Sequence, residues 1–199
     1  MKARATGVET EYGGPMAILK IARMGHPTLR QRAAEVADPA APGIAALVAD
    51  MIDTMADADG LGLAAPQVHV DQRVVIFHAP RDDEEAGEEQ EWTGLTVLVN
   101  PAVEPLGEEQ EDGWEGCLSV PGLRGLVPRY TQVRYSGVTP GGERVERVAE
   151  GLHARVVQHE CDHLDGILFP QRMTDLSRLI FESEFRHLRT AAPSLRGAA

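Results

Sequence analysis

The run His159-Glu160-Cys161-Asp162-His163 is an H-E-x-x-H arrangement. On a helix, residues four apart share a face, so both imidazoles can address one metal ion while the glutamate beside the first reaches a water held there. About forty residues earlier lies Glu115-Gly116-Cys117-Leu118-Ser119. The Cys117 thiolate is the natural third ligand of a tetrahedral site with one position left open. An open position marks a catalytic rather than a structural metal. Glu160 is then not a ligand. Its expected work is to take a proton from the bound water and deliver it to a leaving nitrogen, a task that favours a carboxyl of raised pKa in a dry pocket.

The elements that must carry these groups follow from spacing. Leu152, Val156, His159 and His163 lie at i, i+4, i+7 and i+11, so one face of a helix over 152–164 begins as core and ends as ligands, before a stop at Gly166. Cys161 points roughly 200° away from both histidines and reads as a small buried hydrophobe. Asp162, paired with an arginine such as Arg129, could stiffen the ligand helix. An H-E-x-x-H match also arises by chance on surface helices, and the helical face and the cysteine motif are what raise this one above chance.

A second helix is expected over 44–57, where Ile44, Leu47, Val48, Met51, Ile52 and Met55 recur at helical spacing. Gly60 and Gly62 end it and release the chain into an apolar turn that finishes at Gln67. A side-chain amide there could donate to a developing oxyanion, and the backbone beside Gly62 could pair with an extended peptide. Strands are expected over 18–24, 73–79, 95–100, 117–120, 131–136 and 144–149, with a turn at Gly141-Gly142. A third helix is expected over 174–188, capped by Thr174 or Asp175. Strands grouped between helices favour an α+β single domain, its mostly antiparallel strands packed around the central H-E-x-x-H helix, with a C-terminal helix. Residues 1–16 read as a flexible extension, 17–190 as the catalytic domain and 191–199 as a tail.

The 199 residues suit one domain with one sizeable core. No apolar run approaches the roughly 20 residues that cross a bilayer, and the N-terminus lacks the apolar segment of a signal peptide. The cytoplasm is therefore the expected location, consistent with two cysteines that each stand inside a motif rather than a disulfide. The net charge of −12 is concentrated: 82–115 holds thirteen acidic residues and no Lys or Arg. Residues 82–91 read as a solvated loop, and such a block argues against specific DNA binding through that face. The basic end is the last stretch, with Arg178, Arg186, Arg189 and Arg196.

Three motifs in this order resemble those of the peptide deformylases of bacterial type. They are Gly60-Leu61-Gly62-Leu63-Ala64-Ala65-Pro66-Gln67, then Glu115-Gly116-Cys117-Leu118-Ser119 with Val120-Pro121-Gly122, then His159-Glu160-Cys161-Asp162-His163 with Leu164-Asp165-Gly166. The likeness runs from about Ile18 to Met173. It implies that Cys117, His159 and His163 bind the metal and that Glu160 is the acid/base. It further implies that Gln67 and the Leu118 N–H polarise a formyl oxygen, and that the backbone of Gly62 aligns the substrate. Leu152 and Val156 would wall a methionine slot, with the stem of Arg155 at its rim, and Arg124 or Arg129 would serve the substrate or support the ligands. The implied reaction removes the N-formyl group from the initiator methionine of nascent chains and other N-formylmethionyl peptides, releasing formate. The implied metal is Fe²⁺, with Zn²⁺, Ni²⁺ or Co²⁺ able to occupy the same site. A transient ribosome contact through the basic C-terminal region is a further expectation from the resemblance.

Two other readings share the residues. A zinc peptidase would draw a carboxylate ligand from Glu182 or Glu184 and leave Cys117 unexplained. A non-enzymatic binding or ribosome-associated module would keep the fold without turnover.

Overall fold

Pro42 occupies the first turn of helix α1 (Pro42–Asp57), where its missing N–H costs nothing. The helix buries Ile44, Val48, Met51, Thr54 and Met55, with Leu47 and Ile52 packed at the margin. It ends not at a glycine but at Asp59, which takes a left-handed φ of 52° while Gly60 N–H bonds the Met55 carbonyl. This is a computed structural model, describing residues 17–79 and 94–190, the last three by backbone alone. The expected extension 1–16, the tail 191–199 and the acidic loop 82–91 lie outside the described residues.

Strands β1 (Gly62–Ala64), β2 (Val74–Phe77), β3 (Thr96–Pro105), β6 (Gln132–Val138) and β7 (Arg144–Glu150) form an antiparallel sheet in the order β1-β2-β3-β6-β7. β2 is buried along its whole length, as its Val-Val-Ile-Phe sequence requires. A smaller antiparallel sheet joins β4 (Gln110–Cys117), β5 (Val120–Tyr130) and β8 (Ile180–Phe181). The fold is thus α+β with antiparallel sheets, as expected from the sequence.

Helix α2 (Gly151–Leu164) carries the H-E-x-x-H residues and touches strands of both sheets. It is buried on nearly every side, burying Ala154, Val156, Val157 and Leu164 together with His153, Glu160, Asp162 and His163. A helix so enclosed holds its side chains in fixed rotamers. Ala154, Val157 and Leu164 join Phe77, Leu98 and Tyr135 in one core; α1 and β2 share a second, and Val127 and Phe169 lie in a third beneath β5. Gly166 turns the chain after α2 at φ +72°, against the backbone of Arg30 and Gln31.

Three further expectations fail. Residues 18–24 form no strand, because their bonds go to three different elements: Leu19 N–H to Thr54, Ala22 N–H to the Gln67 carbonyl and Met24 N–H to the Ser119 carbonyl. Residues 117–120 are not one strand: Cys117 ends β4, Val120 opens β5 opposite it, and Leu118 and Ser119 form the tight turn between them. The continuous helix over 174–188 is broken. Asp175 caps only a 3₁₀ turn at Leu176–Arg178, Ile180 and Phe181 then pair with Arg124 and Leu123 at the edge of β5, and α3 spans only Phe185–Thr190.

Candidate metal centre

α2 presents His159 and His163 on one face with ring centroids 5.0 Å apart and planes at 80°. Across from them, Cys117 closes β4 at a register shift beside Gly116. Its Sγ lies 3.3 Å from His163 Nε2. Ligand atoms of Cys117, His159 and His163 all fall within 4.8 Å of one another, and among the described residues this is the one such group. One thiolate and two imidazoles converging in this way fit a divalent transition ion with a position to spare.

Charge around the group favours the ligating forms. Burial alone would raise the Cys117 thiol, but the neighbouring His163 and His159 reverse this and hold it well below its ordinary pKa. Sγ also accepts from Ser119 N–H at 3.4 Å and Gln67 Nε2 at 3.5 Å. The other nitrogen of His159, Nδ1, donates to Glu115 at 2.8 Å, which leaves Nε2 to face the site.

Glu115 was not given a role by sequence reasoning, yet it organises the centre. Besides His159 it accepts a two-pronged bond from Arg129, at 2.9 and 3.0 Å, and another from Arg155 at 3.0 Å. Burial would raise its carboxyl, but His159 and Arg129 outweigh that and hold it well below the usual carboxylate range. Arg129 continues to Asp162 at 2.5 Å, the pairing expected from the sequence, and Arg172 grips the same carboxylate at 2.6 Å. The Arg155 guanidinium is not a loose rim: it bonds the carbonyls of Glu111 and Val127, and a Cβ on Gly113 would stand 2.5 Å from its Cζ. The available signal for Glu115 was its place two residues before Cys117 on a strand, where alternate residues share a face.

Glu160 is 5% exposed, and its Oε2 meets no partner among the described residues. Burial pushes its carboxyl up to about 7, against the opposing pull of His159 and His163. Gly62 presses against it; a Cβ there would stand 2.3 Å from Oε1. Cys161 points elsewhere, is buried, and its thiol is pushed up by burial.

Gln67 is buried, and its Oε1 accepts from the Ala64 N–H at 2.8 Å. That bond fixes the amide so that Nε2 faces the centre, where it also donates to Ser119 Oγ at 3.1 Å. Leu118 sits in the β4–β5 turn against Gly60, where a Cβ would lie 2.9 Å from Leu118 Cδ1. A cleft of about 540 Å³ opens over the group, lined by Gly62, Leu152 and Val156 among others, with Arg124 and Glu182 also on its wall. Glu182 bonds Arg124 and is not in the ligand group, and neither is Glu184, so the carboxylate-ligated peptidase arrangement is absent among the described residues.

Known proteins share this arrangement of chain. The family described as Polypeptide deformylase matches residues 18–179. The chain is 56% identical over 158 residues to Peptide deformylase 1 of Bordetella pertussis, covering 79% of this chain and 89% of that one. It is 53% identical over 164 residues to Peptide deformylase 2 of Ralstonia nicotianae, covering 82% and 92%. Among solved structures, a Met-Ala-Ser-bound class I type b peptide deformylase from Acinetobacter baumannii superposes with a TM-score of 0.71 at 39% identity, over 79% of this chain and 99% of that one. A peptide deformylase from Synechococcus elongatus in complex with actinonin gives 0.71 at 32% identity, over 88% and 90%.

Proposed function

Since the chain belongs to the polypeptide deformylase family, we propose that Cys117, His159 and His163 hold its metal and that Glu160 moves the proton when it removes the N-formyl group from initiator methionine. The activity is that of the family: hydrolysis of a formyl amide on N-formylmethionyl peptides, releasing formate and a free amine. The observation that carries the assignment of roles is the convergence of three candidate ligand atoms within 4.8 Å beside a buried Glu160 oxygen that has no partner among the described residues.

A metal bound there supplies Lewis-acid polarisation and water of lowered pKa. The rest falls to side chains and backbone. With a pKa near 7, Glu160 can accept the proton of the attacking water and return it to the departing nitrogen without a large penalty either way. Gln67, its amide fixed through Ala64, donates from Nε2 to the developing oxyanion, and the Leu118 N–H is the second donor. Gly62 lets the substrate backbone come close while keeping Glu160 in place. Leu152 and Val156 offer the methionine side chain an apolar wall, and Arg124 stands further along the cleft as a contact for the peptide. The Met-Ala-Ser carried by the A. baumannii neighbour is what remains of formyl-Met-Ala-Ser after this reaction, which supports a peptide running along the cleft.

Fe²⁺ is the proposed native metal, with Zn²⁺, Ni²⁺ or Co²⁺ compatible with the same donors; metal analysis of protein purified without oxygen tests it. Residues 17–190 are the proposed catalytic unit, and turnover by a chain trimmed to that span tests it. A cytoplasmic location accords with no described helix being long and apolar enough to cross a membrane; fractionation tests it. The C-terminal region, where Arg186 is exposed, is the proposed ribosome contact, and co-sedimentation before and after removal of the tail tests that.

The decisive assay is formate release from formyl-Met-Ala-Ser by protein loaded separately with Fe²⁺, Ni²⁺ or Zn²⁺. Turnover abolished in Glu160→Ala, with metal still bound, is the expected result. Full metal occupancy with no formate from any loaded form would overturn the role assignments and return attention to the binding-module reading.

A further inference from the structure

Residues 18–24 pair with no sheet, yet they join the two turns that carry the proposed oxyanion donors. Ala22 N–H bonds the Gln67 carbonyl at 2.7 Å, and two residues later Met24 N–H bonds the Ser119 carbonyl at 2.7 Å. Gln67 lies in the 3₁₀ turn Ala65–Val68 that follows β1 of the larger sheet, whereas Leu118 and Ser119 turn between β4 and β5 of the smaller one. Among the described residues no backbone hydrogen bond links these two turns directly. A side-chain bond from Gln67 Nε2 to Ser119 Oγ, at 3.1 Å, is their other tie. The segment is itself held at both ends. Leu19 N–H donates to Thr54 Oγ1 on α1 at 2.8 Å. Beyond Met24, His26 N–H bonds the Arg23 carbonyl at 3.0 Å, and Gly25 in third place takes a φ of +106°, which makes Arg23–His26 a type II turn.

We propose that the backbone N–H groups of Ala22 and Met24 form a clip that sets the separation of Gln67 and the Leu118 N–H, making both residues positioning residues for the hydrolysis. The inference rests on the deformylase reading and deepens it. Two donors stabilise an oxyanion only when both stand within hydrogen-bond reach of the one oxygen. Here the donors belong to different sheets, so their separation depends on what ties the two turns together. The clip does this through main-chain carbonyls, which follow the backbone that carries each donor. Ala22, Gln67 and Ser119 are all buried, where water cannot replace a lost bond. Because the oxyanion exists only as the reaction proceeds, a slackened clip slows turnover without weakening substrate binding.

Met24 is the residue to change. It holds the second place of the type II turn, where proline is favoured, so Met24→Pro removes the N–H while suiting the turn. Its side chain is exposed and little packing is lost. The test measures kcat and KM for formate release from formyl-Met-Ala-Ser by the full-length, metal-loaded protein, by Met24→Pro and by Met24→Ala, which keeps the N–H. Met24→Pro is also made in a Gln67→Ala background. Met24→Pro is expected to lower kcat about tenfold, less than the roughly 10²–10³ of losing a donor outright, with KM and metal content unchanged. Met24→Ala should keep the rate. In Gln67→Ala the proline should cost far less, because the amide it misplaces is gone. Full kcat in Met24→Pro, or a loss undiminished in the Gln67→Ala background, would overturn the inference. So would a lowered melting temperature as the only effect. Should Met24→Pro not fold, replacing Met24 by its α-hydroxy acid, which turns the N–H into an ester oxygen, decides by the same criteria. Formate from the unaltered protein leaves the deformylase reading standing in each of these cases, and its absence there would overturn both.

Discussion

Gly62 and Glu160 are packed so closely that residue 62 has no room for a side chain: an added Cβ would lie 2.3 Å from Oε1 and 2.5 Å from Cδ of the glutamate. The carboxyl is the flexible partner, so it is the carboxyl that would move. Gly62→Ala is therefore expected to lower kcat by about 10²-fold, the usual cost of displacing a reacting group by an ångström. Metal content should be unchanged, because the three atoms nearest the new methyl all belong to Glu160 and none to Cys117, His159 or His163. Steady-state kinetics alongside metal analysis checks both halves, and loss of metal in step with activity would contradict the account.

Glu115 orients His159 through Nδ1 and ties it to Arg129 and Arg155. Replacement by Gln removes the negative charge, and one amide cannot accept all of these bonds. Metal affinity should fall roughly 10–100-fold. Competition with a coloured chelator for Zn²⁺ measures it. Unaltered affinity would mean that the pairing serves folding alone.

The two cysteines should behave differently toward a thiol reagent. Cys117 is partly exposed and held toward the thiolate, whereas Cys161 is buried with its thiol pushed up. Metal-loaded native protein should label at neither residue, chelated native protein at Cys117 alone, and denatured protein at both. Mass spectrometry after brief alkylation reads the count. Labelling of Cys161 in the chelated native state would show that α2 opens when the metal leaves.

Gly166 and Gly142 both adopt left-handed backbone, at φ +72° and +84°, but only Gly166 faces a neighbour, with Arg30 backbone 2.7 Å from an added Cβ. Both alanine substitutions carry a conformational penalty of about 1 kcal/mol. At Gly166 the backbone clash adds to it, for a total of about 2–3 kcal/mol and several degrees in Tm. Equal melting curves for the two variants would remove the close approach from consideration.

The histidine pair of the proposed ligand group was legible in the sequence because its geometry is local. His159 and His163 are one helical step apart, and Leu152 and Val156 continue the same face. The strands that carry Cys117 were not legible. β4 reads Gln-Glu-Asp-Gly-Trp-Glu-Gly-Cys, with little apolar alternation, because most of its side chains meet water and its stability comes from pairing with β5. Distance in the chain also hid Glu115, whose partners Arg129, Arg155 and His159 stand 14, 40 and 44 residues away. The C-terminal segment misled for a related reason. Its spacing suits a helix, but the open edge of β5 claims Ile180 and Phe181 for a sheet.

Arg129 joins Glu115 on the cysteine-bearing strand to Asp162 on the histidine-bearing helix without itself being a ligand. The two halves of the site are thus clasped by the protein and not only by the ion they share. A protein so built is expected to stay folded when that ion is lost and to accept another in its place. Reactivation after metal loss then becomes a matter of ion supply, with no refolding step to wait for.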